Sequence, residues 1–157
     1  MRLRAGFIFV AMLGLAACGQ QPAEQAAAPT PAPSAKAEAP PMDASALPAP
    51  YNTADLVKGQ QQFARCASCH AAGPGAPNRT GPSLHGVFER KAGTAPGFSY
   101  SDAFTKAEFH WDAATMDQYI TNPRSMLPGN RMAFVGIKDP EDRKNLIAYL
   151  LLETHRK

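Results

Sequence analysis

An all-α fold is what the sequence predicts for residues 51–157, on three observations. Capping residues precede apolar segments, and a proline marks where one of these segments ends. The last segment places Leu146, Ile147 and Leu150 at a helical period. No alternating run of the kind that marks a strand surrounds the cysteine pair Cys66 and Cys69.

The elements follow in order. Asn52 or Thr53 caps a first helix that runs to about Arg65, and Gly59 within it permits close approach of another helix. Extended, Gly/Pro-rich chain fills 71–97. Asp112 caps a helix that stops by Asn122, because Pro123 disfavours helical backbone in the residue before it. Asp139 caps the last helix. Pro140 takes its first position, and Glu141 and Asp142 place negative charge at the positive end of its dipole. A domain of 107 residues with so few helices has a thin core and often needs a staple or a cofactor.

The segment ahead of that domain has a different character. Arg2 and Arg4 form a positive start, and Ala5 to Leu13 form an apolar stretch too short for a membrane-spanning helix. Residues 1–17 therefore read as a removable export signal. Leu15-Ala16-Ala17-Cys18 resembles a bacterial lipobox, which implies diacylglycerol on the Cys18 sulfur and cleavage just before it. Residues 18–50 read as the lipidated cysteine and a Pro/Ala-rich linker. Positions 19–50 hold 8 Pro and 11 Ala with no apolar period, too little to offset ordering entropy by burial. At about 3.1 Å per residue such a tether reaches roughly 100 Å when fully extended. The expected location is the periplasmic side of a bacterial envelope membrane, the inner membrane before the outer.

Charge narrows the function further. The chain carries 16 Lys and Arg against 13 Asp and Glu, with three of each before residue 51. A balance of +3 suits docking on acidic protein surfaces. No dense basic tract or nucleic-acid motif is present, so nucleic acid is not an expected partner.

Cys66-Ala67-Ser68-Cys69-His70 carries the chemistry. A C-x-x-C-H run reads as c-type haem attachment. Two thiols add across the two vinyl groups of one covalent haem c, and the adjacent histidine falls beneath the iron as a ligand. A thioredoxin-like pair would sit beside a βαβ pattern, which is absent. A zinc site would need a second ligand pair, and His85, His110 and His155 lack ligand spacing. A structural disulfide would leave His70 unexplained.

Around this motif stand Gly59 and Phe63, then Thr80-Gly81-Pro82-Ser83-Leu84-His85-Gly86. Further on come Arg90-Lys91-Ala92-Gly93, Pro96-Gly97-Phe98-Ser99-Tyr100, Trp111, Pro128-Gly129-Asn130-Arg131-Met132 and Leu146-Ile147-Ala148-Tyr149-Leu150. Together these residues, spread over nearly all of 54–152, resemble class I cytochrome c of the mitochondrial type and its bacterial relatives. The resemblance implies a cytochrome c fold of about five helices around one covalently bound haem, with Phe63, Leu146 and Tyr149 where the first and last helices cross. It implies Met132 as the second iron ligand, with Met126 the best rival thioether. It implies that the Pro82 carbonyl accepts the proximal imidazole N–H, and that Arg90, Tyr100 and Trp111 surround the haem propionates. It also implies Tyr119 beside the methionine, and Asn130 at a position often held by threonine. Phe104 departs from the pattern, where asparagine is common.

What the resemblance implies for function is one-electron transport between respiratory membrane complexes, from a quinol–cytochrome c reductase to a terminal oxidase, with no catalytic residue. Arg65, Arg79, Arg124, Arg131 and Lys138 match basic positions around the exposed haem edge, facing acidic docking surfaces. The alternatives are a haem peroxidase or electron-entry subunit of a larger reductase, and a gas or redox sensor. Peroxidase and sensor need an open iron position, which Met132 would close.

Overall fold

The computed structural model describes residues 42–156. Five α-helices appear among them: α1 (Leu56–Phe63), α2 (Asp102–Thr105), α3 (Ala113–Thr121), α4 (Pro123–Met126) and α5 (Pro140–Glu153). Short 3-10 turns stand at Ala44–Ala46, Tyr51–Thr53 and Val87–Glu89. No strand occurs among the described residues; extended pairing is limited to one antiparallel bridge between Lys91 and His110. The all-α expectation and the helix number are borne out.

Local chemistry sets the helix ends. Asp55, rather than Asn52 or Thr53, caps α1, its carboxylate accepting from Lys58 N at 3.0 Å. The two earlier residues belong instead to the 3-10 turn. Asp55 has a second tie that sequence cannot show, because its backbone N–H donates to Asn145 Oδ1 on α5 at 2.9 Å. Asp112 caps α3 through Thr115 N, and Asp139 caps α5 through Glu141 N and Asp142 N, as expected. Asn122 ends α3 and caps α4 through Ser125 N, with Pro123 at the first helical position.

The crossing of α1 and α5 is the main helix contact. Gly59 makes it close: a Cβ there would collide with the Asn145 carbonyl oxygen and stand 2.8 Å from Tyr149 Cβ. Phe63 packs against Tyr149 with ring centroids 5.5 Å apart. Residues Asn145–Leu150 are buried without a break. The helical period of Leu146, Ile147 and Leu150 describes only one face of α5; the opposite face is covered by α1.

The start of the domain lies earlier than composition suggests. Asp43 caps the turn Ala44–Ala46, Ala44 is buried, and Met42 packs against the core cluster. Residues 42–50, expected within the linker, thus lie against the domain. A few apolar side chains suffice to pin a Pro/Ala-rich segment when a cap fixes its turn. The export signal, Cys18 and the rest of the linker lie outside the described residues. None of the described helices is long and apolar enough to cross a membrane.

Candidate haem site

The chain leaving α1 continues in tight turns, with Ala67 N donating to Phe63 O at 3.0 Å and His70 N to Cys66 O at 2.9 Å. These turns bring Cys66, Cys69 and His70 to one cavity of about 610 Å³. Neither cysteine is in a disulfide. Burial pushes the Cys66 thiol up to about 11, against the lowering effect of Arg65.

His70 is fixed in orientation and tautomer. Its Nδ1 lies 2.8 Å from the Pro82 carbonyl oxygen. A carbonyl only accepts, so Nδ1 carries the proton and Nε2 keeps its lone pair. Burial lowers the imidazole pKa, outweighing the Pro82 bond, and so favours the neutral ligand form. Gly81 lies flat against the ring, where a Cβ would collide with Cε1 and stand 2.7 Å from Nε2. Gly81 N also donates to Cys69 O at 2.9 Å, tying this cradle back to the cysteine turn.

Met132 lines the same cavity, and its sulfur accepts from the Tyr119 hydroxyl at 3.4 Å. Burial holds the Tyr119 phenol protonated, well above its usual range. The rival Met126 packs against the core cluster outside the cavity lining. Met116 does line the cavity, one turn from Ile120 on α3.

One part of the wall is polar. Arg90 donates to the His85 and Ser83 carbonyls, each at 2.8 Å. The Tyr100 hydroxyl accepts from Ala95 N at 3.3 Å. Burial raises the Tyr100 pKa and lowers that of Arg90. Trp111 stands edge-on to Tyr119 at 5.1 Å between centroids. Phe104 lines the cavity among Tyr100, Trp111 and Tyr119, with its ring 5.4–6.4 Å from theirs. The Ser101 hydroxyl, also in the lining, is buried with no hydrogen-bond partner.

These residues fit a haem. Val87, Ile120, Leu146 and Leu150 supply an apolar wall for a flat macrocycle. Arg90, Tyr100, Trp111 and the unpartnered Ser101 hydroxyl suit its carboxylates, which require donors when buried. Two thiols and a neutral imidazole stand together at one end of the lining.

Of the site residues expected from the sequence, the cavity gathers Cys66, Cys69, His70, Pro82, Arg90, Tyr100, Trp111, Tyr119 and Met132. Asn130 stands just behind this lining. Its amide N–H groups donate to the Pro123 carbonyl at the start of α4 and to the Leu127 carbonyl. The Ser101 orphan and the stacking of Gly81 on His70 depend on tertiary approach and have no local sequence signal. Another such feature joins Arg65, just before Cys66, to Phe134, just after Met132: the guanidinium lies 5.3 Å from the ring centroid.

Comparisons with known proteins agree with this geometry. The family model described as Cytochrome c matches residues 56–152. Cytochrome c2 of Rhodoblastus acidophilus is 52% identical over 96 residues, covering 61% of this chain and 90% of that protein. Cytochrome c of Kluyveromyces lactis is 44% identical over 106 residues, covering 67% of this chain and 96% of its own. The solved structure of cytochrome cH from Methylobacterium extorquens superposes with a TM-score of 0.57 at 40% identity, over 62% of this chain and 97% of that one. With its C-x-x-C-H thiols and imidazole gathered at one cavity, the chain belongs to the cytochrome c family and is a monohaem electron carrier, not an enzyme, with one covalent haem c.

Proposed function

We propose that this protein carries single electrons from a quinol–cytochrome c reductase to a terminal oxidase, held by a lipid on Cys18 to the periplasmic side of a bacterial envelope membrane. The observation that carries the haem-site reading is the convergence of Cys66, Cys69, His70 and Met132 on one cavity. In this reading Cys66 and Cys69 form the thioethers, and His70 Nε2 and the Met132 sulfur are the iron ligands. The bound haem supplies a ferrous–ferric couple, and imidazole with thioether suits electron transfer. The protein's own part is to hold both ligands still. Pro82 fixes the His70 ring, and the Tyr119 hydroxyl bonds the Met132 sulfur. Phe104 and the apolar wall keep water away, while Arg90, Tyr100, Trp111 and Ser101 hold the carboxylate side.

The surface supports docking on acidic partners. None of Arg65, Arg79, Arg124, Arg131 and Lys138 has a carboxylate within 4.0 Å among the described residues, whereas Lys58, Lys91, Lys106, Arg143, Lys144 and Arg156 are paired. Arg79 and Lys138 are instead positioned by the Ala67 and Thr121 carbonyls. Val135, three positions before Lys138, is an apolar side chain 81% exposed. An apolar centre with charged surroundings steers association and then excludes water.

The ligand test is spectroscopic. Met132→Ala removes the sulfur-to-iron charge-transfer band of the oxidised protein and lets cyanide bind readily, while Met126→Ala leaves both unchanged. The reverse pattern refutes the ligand assignment. Rapid cyanide or carbon monoxide binding by the wild type would show an open iron position and refute ligation by Met132.

A further inference from the structure

We infer that Asn130 is a positioning residue: its side-chain amide clamps the 127–132 loop so that the Met132 sulfur is held in place. This rests on the reading of Met132 as iron ligand. Residues 127–139 form no regular structure, and α4 ahead of them is a single turn that cannot be stable alone. Among the described residues, the backbone N–H groups of 129–136 make few bonds. Asn130 N donates to Leu127 O at 3.2 Å, and Met132 N donates to Asn130 Oδ1 at 2.9 Å. A ligand loop with so little backbone pairing belongs to the easily opened part of a fold unless a side chain fixes it.

Asn130 supplies that fixation. Its Nδ2 donates to Pro123 O at 2.9 Å and to Leu127 O at 2.7 Å. Its Oδ1 accepts from Met132 N and from the Tyr119 hydroxyl, the latter at 3.4 Å. A primary amide has two N–H donors and two lone pairs, so its capacity is filled. The four bonds join the start of α4, the turn at Pro128–Gly129, the ligand's own backbone and α3. Tyr119 has a single hydroxyl proton, which is shared between Asn130 Oδ1 and the Met132 sulfur, each 3.4 Å from its oxygen. One side chain therefore fixes the ligand's backbone and the phenol that bonds its sulfur. Such a clamp acts on the equilibrium between bound and displaced methionine rather than on the cofactor directly.

Imidazole titration of the oxidised haem protein, followed by loss of the sulfur-to-iron band, reads that equilibrium. Asn130→Ala breaks all four bonds and is expected to tighten imidazole binding tenfold or more. Asn130→Ser keeps an acceptor two residues ahead of Met132 N and is expected to fall between Ala and wild type. It also provides the measurement should the Ala variant fail to fold. Phe63→Leu weakens the α1–α5 contact without touching this loop and is expected to bind imidazole as the wild type does. Unchanged imidazole affinity in the Asn130 variants overturns the inference, as does an equal gain in Phe63→Leu, which would mark the effect as general loss of stability. A wild-type spectrum without the band, or a band that survives Met132→Ala, overturns the ligand reading and the inference with it. A band that depends on Met132 but is indifferent to Asn130 overturns this inference alone.

Discussion

Replacing Gly59 with alanine sets two effects of known size against each other. Alanine gains about 1 kcal/mol over glycine in a helix interior. Against this, the new Cβ would lie 2.8 Å from Tyr149 Cβ and 2.9 Å from Asn145 C, and would collide with the Asn145 carbonyl oxygen. Ordinary carbon contacts begin near 3.5 Å, so α5 must retreat by roughly 0.7–1 Å. The obstructing atoms are backbone and Cβ, and no rotamer change can clear them. Overpacking costs about 1–3 kcal/mol, and fixed obstacles place this site at the upper end. The net is a loss of roughly 2 kcal/mol, which lowers Tm by about 10 °C in a domain of this size. Urea and thermal unfolding of the haem-loaded protein, followed by far-ultraviolet circular dichroism, measure it. Gly73→Ala is the control, because its Cβ would meet only Glu153 Oε1, at 3.4 Å, the end of a flexible side chain. Gly59→Ala as stable as wild type would refute the reasoning, since helix propensity would then outweigh the crossing.

Further outcomes can be checked independently. Asp112→Ala should cost about 1 kcal/mol at neutral pH through loss of the α3 cap. The bond from Thr115 N holds the Asp112 carboxyl below its usual pKa, so its contribution is present above that usual value and lost as pH falls through the folded-state value. Denaturation at pH 7 and pH 2 should show the variant's deficit disappear in acid. Phe104→Ala should destabilise by roughly 3 kcal/mol, since the ring packs against three aromatic neighbours; a loss below 1 kcal/mol would show that the ring contributes little packing. Cys18→Ser should release the intact haem protein from membranes, and unchanged retention would rule out anchoring through that sulfur.

What could be read in the sequence was what is local. Cys66 to His70 announce their chemistry by spacing, and Asp112 and Asp139 cap the helices they precede because a cap acts within three residues. Residues whose role depends on a distant partner were harder. Asp55 gains its advantage over Thr53 partly from Asn145, ninety positions away. Asn130 matches a position near the haem by sequence order, yet its amide donates to the Pro123 carbonyl of α4 and to the Leu127 carbonyl ahead of the Pro128–Gly129 turn. The conformation of that turn, with Gly129 at φ +84°, has to be known before those carbonyls can be placed. Gly81 belongs to a readable motif, but its contact with the His70 ring appears only once the loop has folded over.

The early start of the domain bears on how the proposed anchor works. If Cys18 carries the lipid, then with Met42 and Ala44 packed into the folded part the tether expected from the sequence would shorten from 19–50 to 19–41. The contour length falls from roughly 100 Å to about 70 Å at 3.1 Å per residue. A partner whose electron port stands farther from the bilayer than this tether plus the domain it carries would be out of range, however favourable its charge. For ports within range, effective concentration varies as about the −3/2 power of tether length, so the shorter span raises the encounter frequency roughly 1.6-fold. In the proposed arrangement, docking Met42 and Ala44 on the core would thus exchange height above the lipid for time spent near low-lying partners.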